Sequence, residues 1–77
     1  MLTMQKDKVG YRSILLDGNV IGEIQRQTHS RWNGVLWLNE VVVQRHAGTA
    51  QDAFQALKTA HYWHLEKKRR EAVLEQP

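Results

Sequence analysis

The sequence predicts a small α+β domain: a three-stranded antiparallel meander followed by one long C-terminal α-helix packed on one face of the sheet (β-β-β-α). Two observations support this prediction. Three β-favouring segments come first, and the Asp17-Gly18 dipeptide between the first two is typical of a hairpin, because glycine accepts positive φ. After Thr49, apolar residues instead recur with the period of an amphipathic helix.

Length, composition and charge limit the possible functions. The chain has 77 residues and no cysteine, so we expect a single domain over residues 1–77 without disulfides or thiolate metal ligands. No apolar run is long enough for a signal peptide or a membrane span, so we expect a cytoplasmic protein with no membrane partner. The formal net charge of +3 permits binding to nucleic acid without requiring it.

The first two strands are predicted on either side of the Asp-Gly turn. Residues 1–8 are polar and are expected to fray, which places the start of the ordered body at about residue 9. Val9 to Leu16 is rich in β-favouring residues and forms the first predicted strand, and Val20 to Arg26 forms the second. Gly22 lies inside the second strand, where glycine indicates a bulge or the close approach of another segment.

The stretch from Gly34 to Gln44 reads G-V-L-W-L-N-E-V-V-V-Q and is interpreted as the central strand. Its apolar residues occupy both parities of the pleat, which is typical of a strand covered on both faces. The interruption at Asn39-Glu40 fits either a bulge within one strand or a tight turn between two short strands. We favour one bent strand, because Asn-Glu lacks the glycine that two-residue turns prefer.

One long helix is predicted from about Ala50 to Arg70 or beyond. Thr49 is placed at its N-cap, since Thr49 to Asp52 resembles a capping box and Asp52 suits the positive end of the helix dipole. An advance of about 100° per residue gives one core-facing stripe. Its members are Ala50, Ala53, Phe54, Leu57, Ala60, His61, His64 and Leu65.

The next position on this stripe is Lys68, so the helix is expected to leave the body after Leu65. The ordered body then ends near residue 66, and residues 67–77 form a basic helix end and tail. Trp63 falls outside the core stripe, on the side of Ala56 and Thr59. The helix covers one face of the central strand, and no other segment is left to cover the second face.

No combination of residues indicates catalysis. His61 and His64 have an i,i+3 spacing that suits two metal ligands, but a third ligand would have to come from His29, His46 or Glu66. We interpret both histidines as residues at the edge of the core. The turn explains Asp17 and the helix start explains Asp52, which leaves no paired carboxylates for acid–base chemistry. We therefore expect no enzymatic activity, no cofactor, no metal and no small-molecule substrate.

Four short segments carry a resemblance to a known family. They are Tyr11-Arg12, Gly22-Glu23-Ile24, Val35-Leu36-Trp37-Leu38 and Gly48 to Phe54. Across roughly residues 11 to 60, the chain resembles the three-strand-plus-helix DNA-binding fold of the AP2 domain and of phage-integrase amino-terminal domains. The resemblance implies that an exposed sheet face enters the major groove. It implies Arg12, Arg26 and Trp37 as the residues that contact DNA.

Two functions remain open, both of them non-enzymatic. The first is binding of nucleic acid, weakly favoured to be DNA, through the uncovered sheet face and the basic helix end. Its candidate residues are Arg12, Arg26, Arg31, Trp37, Lys67, Lys68, Arg69 and Arg70. The second is docking of a protein partner, or homodimerisation, through an apolar second sheet face. Its candidate residues are Leu36, Leu38, Val42 and Trp63.

Overall fold

A computed structural model describes the backbone of residues 1–38 and 41–75, and the side chains of these residues as far as Ala72. Five strands form one antiparallel sheet in the order β1-β2-β3-β4-β5, and one helix follows. The bounds are β1 Leu2–Lys8, β2 Tyr11–Leu16, β3 Asn19–Thr28, β4 Arg31–Trp37, β5 Val42–Ala47 and α1 Ala50–Glu75. The predicted α+β class is confirmed, whereas the sheet has five strands instead of three.

The first additional strand comes from the amino terminus, where the sequence predicts fraying. Leu2 and Met4 alternate with polar residues and lie opposite Leu16 and Ile14 of β2. Leu2 is buried and Met4 packs against the core. Burial of these two side chains therefore ties β1 to the edge of the sheet, although its second half is polar and exposed.

The second additional strand comes from the apolar stretch interpreted as one central strand, which is instead a hairpin. Leu38 N donates to Val41 O at 2.9 Å, and Val41 N donates to Leu38 O at 3.2 Å, so the chain reverses between β4 and β5. The bulge considered at Asn39-Glu40 lies outside the described residues. The reversal places Leu36 opposite Val43, on the same face of the sheet, although the two have opposite parity in the sequence.

Two local predictions about β2 and β3 are confirmed. Asp17 and Gly18 have φ values of 51° and 89°, as a tight turn between antiparallel strands requires. The register shifts opposite Gly22, where Ile14 pairs with Gly22 and the next pair skips one residue of β3. A Cβ atom at position 22 would lie 2.3 Å from the carbonyl oxygen of Val35, so only glycine fits there.

The helix begins as predicted, and its burial ends sooner than predicted. Thr49 Oγ1 accepts a hydrogen bond at 3.0 Å from the backbone N–H of Asp52, which confirms the N-cap. The core contains Leu2, Ile14, Ile24, Leu36, Ala50, Ala53, Phe54 and Leu57. Beyond Leu57, His61 and His64 are half-buried, and Leu65 is 52% exposed. The sheet therefore supports mainly the first third of α1.

The helix is longer than the sheet that it covers. Its 26 residues span about 39 Å, whereas the seven residues of β4 span about 23 Å. The molecule measures 52 × 23 × 17 Å, because the last turns of α1 extend past the end of the sheet. In the part of the chain that the structure describes, no helix is long and apolar enough to cross a membrane.

Candidate functional site

The sheet face turned away from α1, which we call the open face, is mainly polar. Residues of this face lie opposite one another on neighbouring strands. They include Gln5, Ser13, Glu23, Gln25, Asn33, Val35 and Gln44. Gln44 Nε2 donates to Asn33 Oδ1 at 2.9 Å, so some polar side chains of this surface form hydrogen bonds with each other. The hairpin brings Leu36 and Val43 together under the helix, which leaves Val35, Trp37, Val42 and Gln44 on the second face of the central stretch. Of the interface residues predicted in this stretch, Val42 lies on that face, whereas Leu36 does not.

Tyr11 and Glu23 form a polar contact at the centre of the open face. The Tyr11 hydroxyl donates to Glu23 Oε2 at 2.5 Å. This hydrogen bond raises the pKa of Tyr11 above its usual 10.0, and desolvation and the charge of Glu23 act in the same direction. Tyr11 is therefore neutral at physiological pH. The carboxylate of Glu23 gives this part of the open face a negative charge, which disfavours contact with phosphates.

The basic residues lie on the opposite side. Arg12 pairs with the buried Ile24, and Arg45 pairs with Gly34 beneath α1, so both belong to the sheet face that carries the helix. We call α1 and this face together the helix side. Nine of the eleven Lys and Arg residues lie on it: Lys6, Arg12, Arg26, Arg45, Lys58, Lys67, Lys68, Arg69 and Arg70.

The resemblance to AP2-like domains implies Arg12 and Arg26 on the exposed sheet face, but the register places both on the helix side. The Arg12 guanidinium lies 5.7 Å from the centre of the Trp32 ring. Arg26 Nη2 lies 2.9 Å from His29 Nδ1. Arg31 is exposed at the start of β4. Arg12 and Arg26 therefore share the helix side with the basic helix end, and not the open face that the resemblance implies.

The basic helix end is exposed. Lys67, Lys68, Arg69 and Arg70 all have exposed side chains in the second half of α1. Among the described residues, the ion pairs are those of the Met1 amino group with Asp17 and of Arg69 with Glu66 at 3.3 Å. Both pairs are largely solvent-exposed, and such pairs contribute little. Most of the positive charge on the helix side is therefore open to an anionic partner.

A groove of about 330 Å³ runs between α1 and the edge strand β5, and we call it the β5 groove. Its lining residues are Val43, Arg45, Ala56, Thr59, Ala60, Trp63, His64 and Lys67. Trp63 is 59% exposed, which confirms that it points away from the core, and it shares the groove with Ala56 and Thr59 as the helical wheel predicts. The groove thus combines two cations and an accessible aromatic ring, with no carboxylate among its lining residues.

Two smaller grooves lie on the other flank of α1. One, of about 200 Å³, is lined by Leu16, Ile21, Trp37, Leu38, His61, His64, Leu65 and Lys68. The other, of about 260 Å³, is lined by Met1, Leu2, Leu16, Lys58, His61, Tyr62 and Leu65. Among the described residues, neither groove has a carboxylate in its lining. Like the β5 groove, each places positive charge beside apolar side chains.

His61 and His64 lie at the edge of the core, as expected. Burial lowers the pKa of His61 below its usual 6.5, and the neighbouring His64 lowers it further. The imidazole of His61 is therefore predominantly neutral at physiological pH. Within the described residues, no three His, Asp or Glu side chains come together in a group that could hold a metal ion.

The residues predicted for a protein interface divide between core and surface. Leu36 is fully buried, and Leu38 packs against the core. Neither residue therefore lies on an exposed sheet face where a partner could contact it. Val42 and Trp63 are exposed. Exposed apolar side chains instead form a belt where α1 leaves the sheet, and we call it the apolar belt: Trp37, Val42, Tyr62, Trp63 and Leu65.

Sequence reasoning missed Arg45 and Lys58, although both lie beside grooves. Arg45 directly follows Gln44, where the predicted central strand ends, and β5 was not predicted as a separate strand. For Lys58 the sequence offered one weak indication, its position one turn after Phe54 on the predicted helix. In the structure its Nζ lies 5.5 Å from the centre of the Phe54 ring. Comparisons of the chain with protein-family models, with curated proteins and with solved structures found no match.

Proposed function

We propose that this protein is a small, non-enzymatic DNA-binding module that uses its helix side. The observation that carries the proposal is the segregation of charge. Nine of eleven cations lie on the helix side, together with the carboxylates of Asp52, Glu66 and Glu71, so that its cations outnumber its described carboxylates by nine to three. Among the described residues, the three grooves along α1 have no carboxylate in their lining, whereas the open face carries Glu23. The helix side is therefore the better surface for a polyanion.

Nucleic acid suits this surface because phosphates and bases need different partners, and both kinds are present. Lys and Arg side chains bind phosphates, whereas aromatic rings contact bases. The exposed helix end supplies Lys67 to Arg70, and Trp63 lies one turn before Lys67. Much of the affinity should therefore come from charge and should fall steeply with salt, since each neutralised phosphate releases counterions.

The experiment measures binding of a fluorescently labelled DNA duplex of about 20 base pairs by anisotropy, at several salt concentrations. Lys68→Gln should weaken binding and reduce the slope of log K against log salt by about 1. Lys8→Gln is the matched control, because it removes the same charge from an exposed lysine that pairs with Tyr11 on the open face. No binding at low salt, or equal effects of the two variants, would refute the proposal.

A second candidate function, homodimerisation or docking of a protein partner, is favoured by the apolar belt. Its five side chains are each about half exposed or more. Neighbouring exposed apolar side chains are typical of interaction surfaces.

Sedimentation velocity over a range of concentrations tests this alternative. If the belt is an interface between copies, Leu65→Ser should shift the equilibrium towards monomer. Val9→Ser should leave it unchanged, because Val9 is 85% exposed in the turn before β2, away from the belt. A monomer at every concentration would contradict self-association. Docking of a different protein would then be tested by asking whether Leu65→Ser abolishes its binding.

A further inference from the structure

We propose that the β5 groove binds single-stranded nucleic acid, with one base stacked on Trp63 and the flanking phosphates paired with Arg45 and Lys67. This inference rests on the proposed function, because it names the form of nucleic acid that part of the helix side takes up. The remainder of the helix end contributes charge without distinguishing single strands from duplexes.

The positions of the three side chains follow from local structure. Trp63 and Lys67 are one turn apart on α1, so they lie on the same side of the helix. Arg45 reaches the groove from β5, where its pairing with Gly34 directs it to the helix side. The small side chains of Ala56 and Ala60 line the groove beside Trp63 and leave space next to its ring. An aromatic ring is thus flanked by a cation from each wall of the groove.

The shape of the groove favours an unpaired base. A volume of about 330 Å³ is at the small end of ligand sites and suits a flat ring system, whereas a duplex is wider than the gap between a strand and a helix. Bases in a duplex are stacked on each other and leave no free ring face for a tryptophan. Bases of a single strand offer that face, and stacking on aromatic side chains is a general mode of single-strand binding.

An acidic peptide is the competing occupant, since β5 is an edge strand that an extended peptide can pair with. Arg45 Nη1 donates to the carbonyl oxygen of Gln44 at 2.7 Å, which holds the guanidinium beside β5. A peptide strand paired with β5 would use its backbone and would leave the Trp63 ring without a stacking partner. Trp63 would also gain little from a carboxylate. A nucleotide chain instead uses both the cations and the ring of the groove.

The test compares two single-stranded probes of equal length and charge, an oligothymidylate and an oligonucleotide of the same length that lacks bases. Full-length protein should bind the oligothymidylate about tenfold more tightly than the abasic strand, because only the former can stack. Trp63→Ala should abolish this ratio and leave binding of the abasic strand unchanged. Trp37→Ala is the matched control, since Trp37 is also about half exposed but lies in another groove, and it should keep the ratio.

Each remaining outcome decides against one of the two proposals. Equal binding of the two probes by the wild-type protein overturns the inference, as does an equal loss for both probes in Trp63→Ala. Poly-glutamate that displaces the oligothymidylate, in a manner dependent on Trp63, assigns the groove to an acidic peptide and also overturns it. Binding of neither single strand nor duplex rejects DNA binding altogether. Should Trp63→Ala fail to fold by circular dichroism, Trp63→Phe decides, since it should retain part of the ratio.

Discussion

Substituting Gly34 with alanine tests how closely α1 packs on β4, and hence what holds the β5 groove in shape. A Cβ atom at position 34 would lie 2.6 Å from Leu57 Cδ1, and 3.5 Å from Ile24 Cγ1. Leu57 and Ile24 are both fully buried, so neither side chain has free space to move into. The helix must therefore shift away from the sheet, or Leu57 must leave its preferred rotamer.

The magnitude follows from these distances. Overpacking a dense core by one methyl group costs about 1–3 kcal/mol. Replacing glycine within a strand recovers about 0.5–1 kcal/mol of backbone entropy. The net loss should therefore be about 1–2 kcal/mol, which lowers the melting temperature of a domain of this size by roughly 5–15 °C. Leu57→Val removes the atom that clashes, at a cost of about 1 kcal/mol when introduced alone.

The assay is urea denaturation followed by circular dichroism for the wild type, the two single variants and the double variant. Because Leu57→Val relieves the clash that Gly34→Ala creates, the double variant should be more stable than the sum of the single effects by about 1 kcal/mol. Additive effects within about 0.5 kcal/mol would refute the packing argument. So would a Gly34→Ala protein that is as stable as the wild type.

Two further predictions concern the helix and its histidine. Thr49→Ala removes the N-cap and should lower the free energy of unfolding, measured by chemical denaturation, by about 1 kcal/mol. Thr59→Ala is the control and should have little effect, because Thr59 Oγ1 donates only to a carbonyl of its own helix. Since the pKa of His61 is lowered in the folded protein, the unfolded chain binds the proton more readily, and stability should fall as the pH drops below about 6.5. His61→Gln should flatten this loss in melting curves recorded at several pH values, and a profile identical to that of the exposed control His46→Gln would contradict it.

The sequence was sufficient where structure depends on neighbouring residues. Asp17-Gly18 requires positive φ, and Thr49 has its partner three residues away, so both could be recognised locally. The amino-terminal strand was missed because Lys6 to Lys8 suggested a polar tail. The signal that was available is the alternation of Leu2 and Met4 with polar residues, which is the pattern of a half-buried strand.

The stretch from Gly34 to Gln44 was misread for a different reason. Parity was counted along a single strand, which separates Leu36 from Val43. A hairpin between Leu38 and Val41 pairs these two residues and places both under the helix. The apolar residues of the stretch are thus divided differently from the prediction: Leu36 and Val43 share the buried face, whereas Val35, Trp37 and Val42 share the open face with Gln44. The same error left Arg45 unassigned to a face of the sheet, because the predicted central strand ended at Gln44.

Removal of residues 67–77 separates the two roles of α1. The buried core residues end at Leu57, whereas the helix continues to Glu75 and carries the exposed cations in its later turns. A chain ending at Glu66 should therefore keep a cooperative thermal transition close to that of the full-length protein, because no side chain that the structure describes after Glu66 belongs to the core. Its affinity for DNA should fall by more than tenfold at low salt, since four cations are lost together. Loss of the cooperative transition would mean that the exposed turns stabilise the sheet, and unchanged affinity would mean that the cations of the strands suffice for binding.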